Sequence, residues 1–245
     1  MSEFEFEMIE PGVLKVKNSI KGPKETEHEG NKYFRFMDVF YTRTQDLDQL
    51  SPEEVSNLCR ARARFPDLIS QPNIEVRSLF KALAMEINPT RLLEIGAGRN
   101  PVFAGTASNN MHYVISDADH EVVKSHTSTE TECYIFSETA CILPCQEGHF
   151  EMVIAVFVLH FPFYKAQLSE LYRTLNNTGV IVANVYRRST NARLQLASDI
   201  ENSGFKILVV KDTKDLCLNH EYWILGKSEA QMRACATTLE KLIGL

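Results

Sequence analysis

The chain has 245 residues, of which 44% are hydrophobic and 24% charged, with a formal net charge of -6 and a pI near 5.7. That length suits one domain, or one domain with an appendage, and is enough to bury a full core. The acidic balance argues against a dedicated nucleic-acid binder, whose surface must neutralise phosphates with Lys and Arg.

The longest apolar run, residues 152–163, is interrupted by His160 and is too short to span a bilayer. The opening "MSEFEFEMIE" is acidic and alternating, unlike a signal peptide, so no membrane association is expected. Cys59, Cys133, Cys141, Cys145, Cys217 and Cys235 are scattered without a Cys-x-x-Cys pair. They read as reduced, packed thiols of a cytoplasmic protein, and no metal site is expected.

In chain order, "EFEFEMIEPGVLKVKN" reads as a β-hairpin, with Pro11-Gly12 suited to the centre of a type II turn. "IKGPKETEHEGNK" is polar and turn-rich, a loop or hinge. "KYFRFMDVFYTRTQDL" is dense in aromatics. "SPEEVSNLCRARARF" opens a helix, with Ser51 as N-cap, Pro52 at the first helical position and Glu54 completing a capping box. The arginines at 60, 62 and 64 cannot share one helical face, so most are expected in solvent, with one free to hold a carboxylate. "NIEVRSLFKALAMEI" places Ile74, Leu79, Leu83 and Ile87 at helical spacing.

From Arg91 onward, short apolar runs alternate with helical patterns. The runs are "RLLEIGA", "HYVISDAD", "TECYIFS", "FEMVIAVFV", "GVIVANVY", "FKILVVKD" and "YWILGK". Between them lie "VFAGTASNN", "HEVVKSHT", "YKAQLSELYRTL" and "NARLQLASDIENS". This alternation predicts an α/β fold: a Rossmann-like, mostly parallel seven-stranded sheet with helices on both faces. The last two runs are joined by a polar loop too short for a crossover helix, so they are expected to pair antiparallel. The tail reads as an amphipathic helix that Ser228 and Gln231 would cap.

In such a sheet, ligands bind beyond the carboxyl ends of the strands, where the strand order reverses. "LLEIGAGRNP", residues 92–101, is a first strand-to-helix turn, and Gly96 and Gly98 let the backbone bend sharply and a ligand approach. A dinucleotide fingerprint requires a third glycine three residues past the second. Here Gly98 is followed by Arg99, Asn100 and Pro101, so that fingerprint is broken.

Five segments in order resemble a class I S-adenosylmethionine-dependent methyltransferase, of the group with many small-molecule enzymes. They are "LLEIGAGRNP", "YVISDADHEVV", "ILPCQEGHFEMVIAVFVLHF", "LSELYRTLNNTGVIVANV" and "ENSGFKILVV", within residues 74–227. Glu151 stands where the family commonly has aspartate, and Asn100 where many members have a small residue. The resemblance implies S-adenosyl-L-methionine as cofactor. Gly96, Ala97 and Gly98 would admit its methionyl part, and Glu94 would orient that loop near the ammonium. Asp117 would accept both ribose hydroxyls, with Ala118 beside it. Asp119 and His120 are assigned to the start of the next helix. Glu138, or else Thr139 with the backbone near Ala140, would contact the adenine, and Ala155 and Val156 would line the cofactor.

On the substrate side, the segment after the fourth strand reads "VFVLHF". It lacks the Asn/Asp-Pro-Pro-Tyr signature of enzymes that methylate nucleic-acid bases or glutamine. The resemblance therefore implies transfer to an oxygen or nitrogen of a small metabolite, with no nucleic acid as partner. Residues 1–73 are assigned to an N-terminal arm, a hairpin and helical segment covering the substrate, and residues 74–245 to the cofactor-binding domain. Tyr41, then Tyr33, are the candidates for a polar aromatic near the methyl, and His160 is the candidate base. Alternative readings are a protein or RNA methyltransferase, or a non-catalytic protein that binds a cofactor or partner on the same fold. A homodimer is the alternative use of the arm's apolar stripe.

Overall fold

A computed structural model describes residues 4–19, 21–37, 39–65, 67–68, 70–104, 110–126, 131–217 and 220–244. The chain divides into two compact units, Met1–Leu68 and Ile69–Leu245.

In the first unit, strands β1 (Phe6–Glu10) and β2 (Val13–Val16) form the hairpin anticipated around Pro11-Gly12. Gly12 has φ 75°, the left-handed value a type II turn requires after proline. A second hairpin joins β3 (Glu25–His28) to β4 (Asn31–Arg35). Its turn residues, Glu29 and Gly30, both have positive φ, as in a type I′ turn. With β5 (Phe40–Thr42) these strands make an antiparallel sheet in the order β1-β2-β5-β4-β3. Helix α1 (Pro52–Ala63) starts in the anticipated capping box of Ser51 and Glu54. Its Asn57 donates to the Pro11 carbonyl at 3.1 Å, and Arg64 donates to the Ile9 carbonyl at 2.8 Å. Arg60 and Arg64 pair with the Glu10 carboxylate, so two of the alternate arginines hold an acid of the chain's own.

The arm is thus a five-stranded sheet with a helix, larger than a hairpin with a helical cover. The segment read as a loop or hinge contains β3. That strand is an edge, half of its positions face solvent, and its polar composition conceals it.

The second unit opens with α2 (Gln71–Ile87), so a boundary at 73/74 would cut its first turn. There follow β6 (Arg91–Ile95), β7 (His112–Asp117), α3 (His120–His126), β8 (Glu132–Ile135) and β9 (Phe150–Ala155). Then come α4 (Lys165–Thr174), β10 (Leu175–Val185), α5 (Thr190–Asn202), β11 (Lys206–Lys211), β12 (Glu221–Gly226) and α6 (Glu229–Ile243). The seven strands lie in the order β11-β12-β10-β9-β6-β7-β8. Neighbours from β8 to β10 pair parallel, and β12 runs antiparallel to both β10 and β11.

Successive strand residues feed opposite cores, the period of two that a sheet covered on both faces imposes. Leu92, Met152 and Val182 pack with Phe80 of α2 and Leu239 of α6, whereas Leu93, Val153 and Ala183 pack with Leu171 of α4 and Ile200 of α5. Ile74, expected in the buried stripe of α2, is exposed; the stripe is Val76, Leu79, Phe80, Leu83 and Ala84. Ser228 is the N-cap of α6, but its side chain makes no capping bond. The helical pattern expected near "VFAGTASNN" falls largely on residues 105–109, outside the described residues. Among the described residues no helix is long and apolar enough to cross a membrane.

Candidate functional site

The chain passes from β8, at one edge of the sheet, back across to β9, so the strand order reverses between β6 and β9. The crevice at that reversal, at the carboxyl ends of the strands, is where open α/β sheets bind ligands. The end of β6 lies there.

Gly96 and Gly98 both have φ 62°, which L side chains rarely adopt. A Cβ on Gly96 would stand 2.5 Å from Cγ2 of Val158, whereas one on Gly98 would meet nothing within 4 Å. The first glycine thus admits the segment after β9, and the second leaves an open face. Ala97, buried between them, donates its N–H to the Ser116 carbonyl at 3.1 Å. Gly98 donates its N–H to Oδ2 of Asp117 at 2.9 Å, and its carbonyl lies 2.8 Å from Nε2 of His126. The turn is fixed from β7 and α3, both distant in sequence.

Asp117 ends β7. Its other oxygen accepts the Asp119 N–H at 2.9 Å, and burial raises its pKa against these bonds. Asp119 in turn accepts the Glu121 N–H at 2.8 Å, a helix-start role, while Ala118 and His120 are exposed.

Glu94, the last residue but one of β6, is 1% exposed. Its Oε2 accepts the Val102 N–H at 2.8 Å and the Tyr113 hydroxyl. Its Oε1 is buried without a hydrogen-bond donor, with Nη1 of Arg77 3.9 Å from it. Burial lifts the Glu94 carboxyl to about 7, against the opposing influence of Tyr113, Arg77 and the Val102 amide. Arg77 also donates to the Asn100 carbonyl at 2.6 Å and to Asn73 at 3.0 Å, which ties α2 to the glycine turn.

After β8, Ser137 donates its N–H to the Ala140 carbonyl at 3.1 Å, closing a turn that carries Glu138 and Thr139. Burial, and after it the nearby Glu138 carboxylate, raise the Tyr164 pKa, and Thr139 Oγ1 lies 3.5 Å from Ser137 Oγ. Ala155 and Val156 are buried at the end of β9. His160 is buried against Phe161 and Tyr186, at ring-centroid distances of 4.0 and 5.0 Å. Glu151 sits at the opposite end of β9 and takes the Thr90 N–H and hydroxyl at 2.7 and 2.6 Å, a structural anchor for the start of β6.

The carboxyl ends of β6, β7, β8 and β9 thus gather Glu94, Gly96, Ala97, Gly98, Asp117, Ala118, Glu138, Thr139, Ala155, Val156 and His160 on one edge of the sheet. Tyr33 and Tyr41 belong to the first unit. Tyr41 is fully buried and donates its hydroxyl to the Pro23 carbonyl at 2.8 Å; Tyr33 is fully buried with its hydroxyl 3.5 Å from Nε of Arg43. Sequence reasoning missed Arg77, Tyr113 and His126, which hold the turn, and Phe157, Asn184, Tyr186 and His220, which cluster beside His160.

No protein-family model matches the chain, and no curated protein sequence does. Solved structures do. A TehB-like S-adenosylmethionine-dependent methyltransferase from Corynebacterium glutamicum is similar at TM-score 0.52 and 12% identity, over 73% of this chain and 100% of that one. The 1,6-didemethyltoxoflavin-N1-methyltransferase of Burkholderia thailandensis, solved with bound 1,6-didemethyltoxoflavin and S-adenosylhomocysteine, is similar at TM-score 0.51 and 12% identity, over 83% of this chain and 98% of that one. The CMeT domain of the citrinin polyketide synthase gives TM-score 0.51 and 12% identity over 73% of this chain, which spans 58% of that one. The chain has the fold of these methyltransferases.

Proposed function

We propose that the chain is an S-adenosylmethionine-dependent methyltransferase that acts on an oxygen or nitrogen of a small metabolite. The observation that carries this reading is the edge where the orphaned, buried Oε1 of Glu94, the open face of Gly98 and the Asp117 carboxylate converge. A buried acceptor without a donor calls for a partner, and an ammonium supplies one. Asp117 carries two carboxylate oxygens at the end of the second parallel strand, the position from which related nucleotide folds hold ribose. The absence of the third pyrophosphate glycine disfavours a nicotinamide dinucleotide.

In this reading Gly96, Ala97 and Gly98 hold the methionyl part, Asp117 and Ala118 the ribose, Glu138 or Thr139 the adenine edge, and Ala155 and Val156 an apolar wall. When bound, the cofactor supplies a methyl group made electrophilic by its sulfonium. The chain's own residues then orient the acceptor in line and exclude water. His160 takes the acceptor's proton where the acceptor is bound protonated. In this reading the role of the first unit is to cover the substrate. Tyr33 and Tyr41 enter as parts of that unit's core, because both hydroxyls already have partners there. The small-molecule class is supported by the Burkholderia enzyme of the same fold, which is a 1,6-didemethyltoxoflavin-N1-methyltransferase.

The test is a transfer assay with methyl-labelled S-adenosylmethionine and size-fractionated cell extract. Label entering the low-molecular-mass fraction supports the proposal. Label entering protein or RNA alone contradicts the small-molecule class, and no transfer to any fraction contradicts the enzyme reading.

A further inference from the structure

The same edge carries a set of side chains that the cofactor roles leave unused. Phe157, just past β9, has φ 60°, a costly conformation for a bulky residue and one that collects at functional sites. Three long-range hydrogen bonds hold the segment that carries it. The Phe157 N–H donates to Oδ1 of Asn184 at 2.6 Å, and Asn184 is fully buried near the end of β10. Further along the segment, Arg188 donates to the carbonyls of Leu159 and Phe161, both at 2.6 Å. The segment 157–161 is therefore held in one shape by β10 and the residues that follow it.

That shape presents rings. Tyr186 stacks on His220 at 4.7 Å and 21°. Phe157 stands edge-on to Tyr186 at 5.2 Å and to His220 at 5.7 Å, and His160 is edge-on to Tyr186 at 5.0 Å. The pairing of Val185 with Glu221 puts Tyr186 and His220 together at the end of two neighbouring strands. His160 and His220 are buried, whereas Phe157 and Tyr186 are partly exposed. Burial also lowers the His220 pKa, which keeps that ring neutral near pH 7. The cluster adjoins the glycine turn, because Val158, the residue after Phe157, is the one that fills the space Gly96 leaves open.

A wall of pre-set rings favours a flat π-system, which can meet both faces and edges, over a flexible chain or a compact charged group. The geometry points to a planar aromatic or heteroaromatic acceptor, held against Phe157 and Tyr186 beside the glycine turn. This rests on the methyl-transfer reading above and narrows it to a substrate class.

The test uses the full chain loaded with S-adenosylhomocysteine and saturation-transfer NMR with two ring probes, indole and catechol. Their saturated counterparts, octahydroindole and 1,2-cyclohexanediol, serve as controls. Two variants are compared. Tyr186→Leu keeps apolar bulk without the ring, and Phe157→Gly removes the ring while suiting the positive φ, so the fold is preserved. The expected result is binding of the ring probes and not of the saturated ones, weakened about tenfold in each variant. Calorimetric affinity for S-adenosylhomocysteine should stay within about twofold of wild type, since neither residue has a cofactor role. Equal capture of the saturated probes, or ring-probe affinity unchanged in both variants, overturns the aromatic acceptor while nucleoside binding stands. Failure of the wild-type chain to bind S-adenosylhomocysteine overturns the methyl-transfer reading and the acceptor inference with it.

Discussion

Oδ2 of Asp117 accepts the N–H of Gly98 at 2.9 Å, so the acid that ends β7 holds the turn that ends β6. One carboxylate thus fixes the loop and, in the proposed function, receives the ribose. Asp117→Ala should weaken S-adenosylhomocysteine binding by roughly 1.5–3 kcal/mol, the scale of hydrogen bonds to a charged group. It should also lower the unfolding free energy of the ligand-free protein by about 1–3 kcal/mol, because the Gly98 and Asp119 amides lose their acceptor. Calorimetry and urea unfolding check the two arms separately. A folded variant with wild-type affinity removes Asp117 from the ribose role.

Gly96 and Gly98 share a φ of 62° but not a neighbourhood. Gly98→Ala should cost about 1 kcal/mol of stability, the strain of a left-handed alanine. Gly96→Ala adds a collision with Val158 and should cost about 2–4 kcal/mol. Adding Val158→Ala to Gly96→Ala should recover part of the loss, a coupling that a double-mutant cycle measures. Strictly additive effects contradict the contact.

The Glu94 carboxyl is raised to about 7, chiefly by burial. Between the ordinary carboxylate value and that one, the native protein keeps a proton that the unfolded chain has released. The stability this group contributes is therefore full below pH about 4.5 and falls as pH rises through about 7. Glu94→Gln cannot ionise. Between pH about 4 and about 8, its unfolding free energy should gain on that of wild type by on the order of 3 kcal/mol. Denaturant unfolding at the two pH values checks this, and parallel pH profiles of variant and wild type contradict it.

What the sequence disclosed and what it concealed have separate physical causes. The seven apolar runs, the antiparallel last pair, the Ser51–Glu54 capping box and the Pro11-Gly12 turn are local signals, legible in a few residues each. So were Gly96, Gly98 and Asp117, because a glycine pair after one strand and an acid after the next mark positions in an α/β unit. Strand β3 was concealed because an edge strand keeps polar residues. Arg77, Tyr113 and His126 were concealed because their partners, Glu94 and Gly98, lie far along the chain. Asn184 and Phe157 meet only once β9 and β10 are side by side.

The division of the chain between Leu68 and Ile69 gives the cover proposal a clean cut. Removing residues 1–30 would sever β1, β2 and β3 from a five-stranded sheet, whereas a fragment of residues 69–245 keeps the whole second unit. That fragment should fold and bind S-adenosylhomocysteine, yet transfer methyl groups at least about tenfold more slowly than the full chain, the order of loss expected when water is no longer excluded. Full turnover by the fragment contradicts the cover and favours a dimer contact for the first unit.

The most direct test of the proposed function is titration of the full wild-type chain with S-adenosylmethionine, S-adenosylhomocysteine and NAD in one calorimetric series. Saturable binding of both sulfur nucleosides, with none of the dinucleotide, is the expected result. Tight binding of NAD with no binding of either sulfur nucleoside would contradict it.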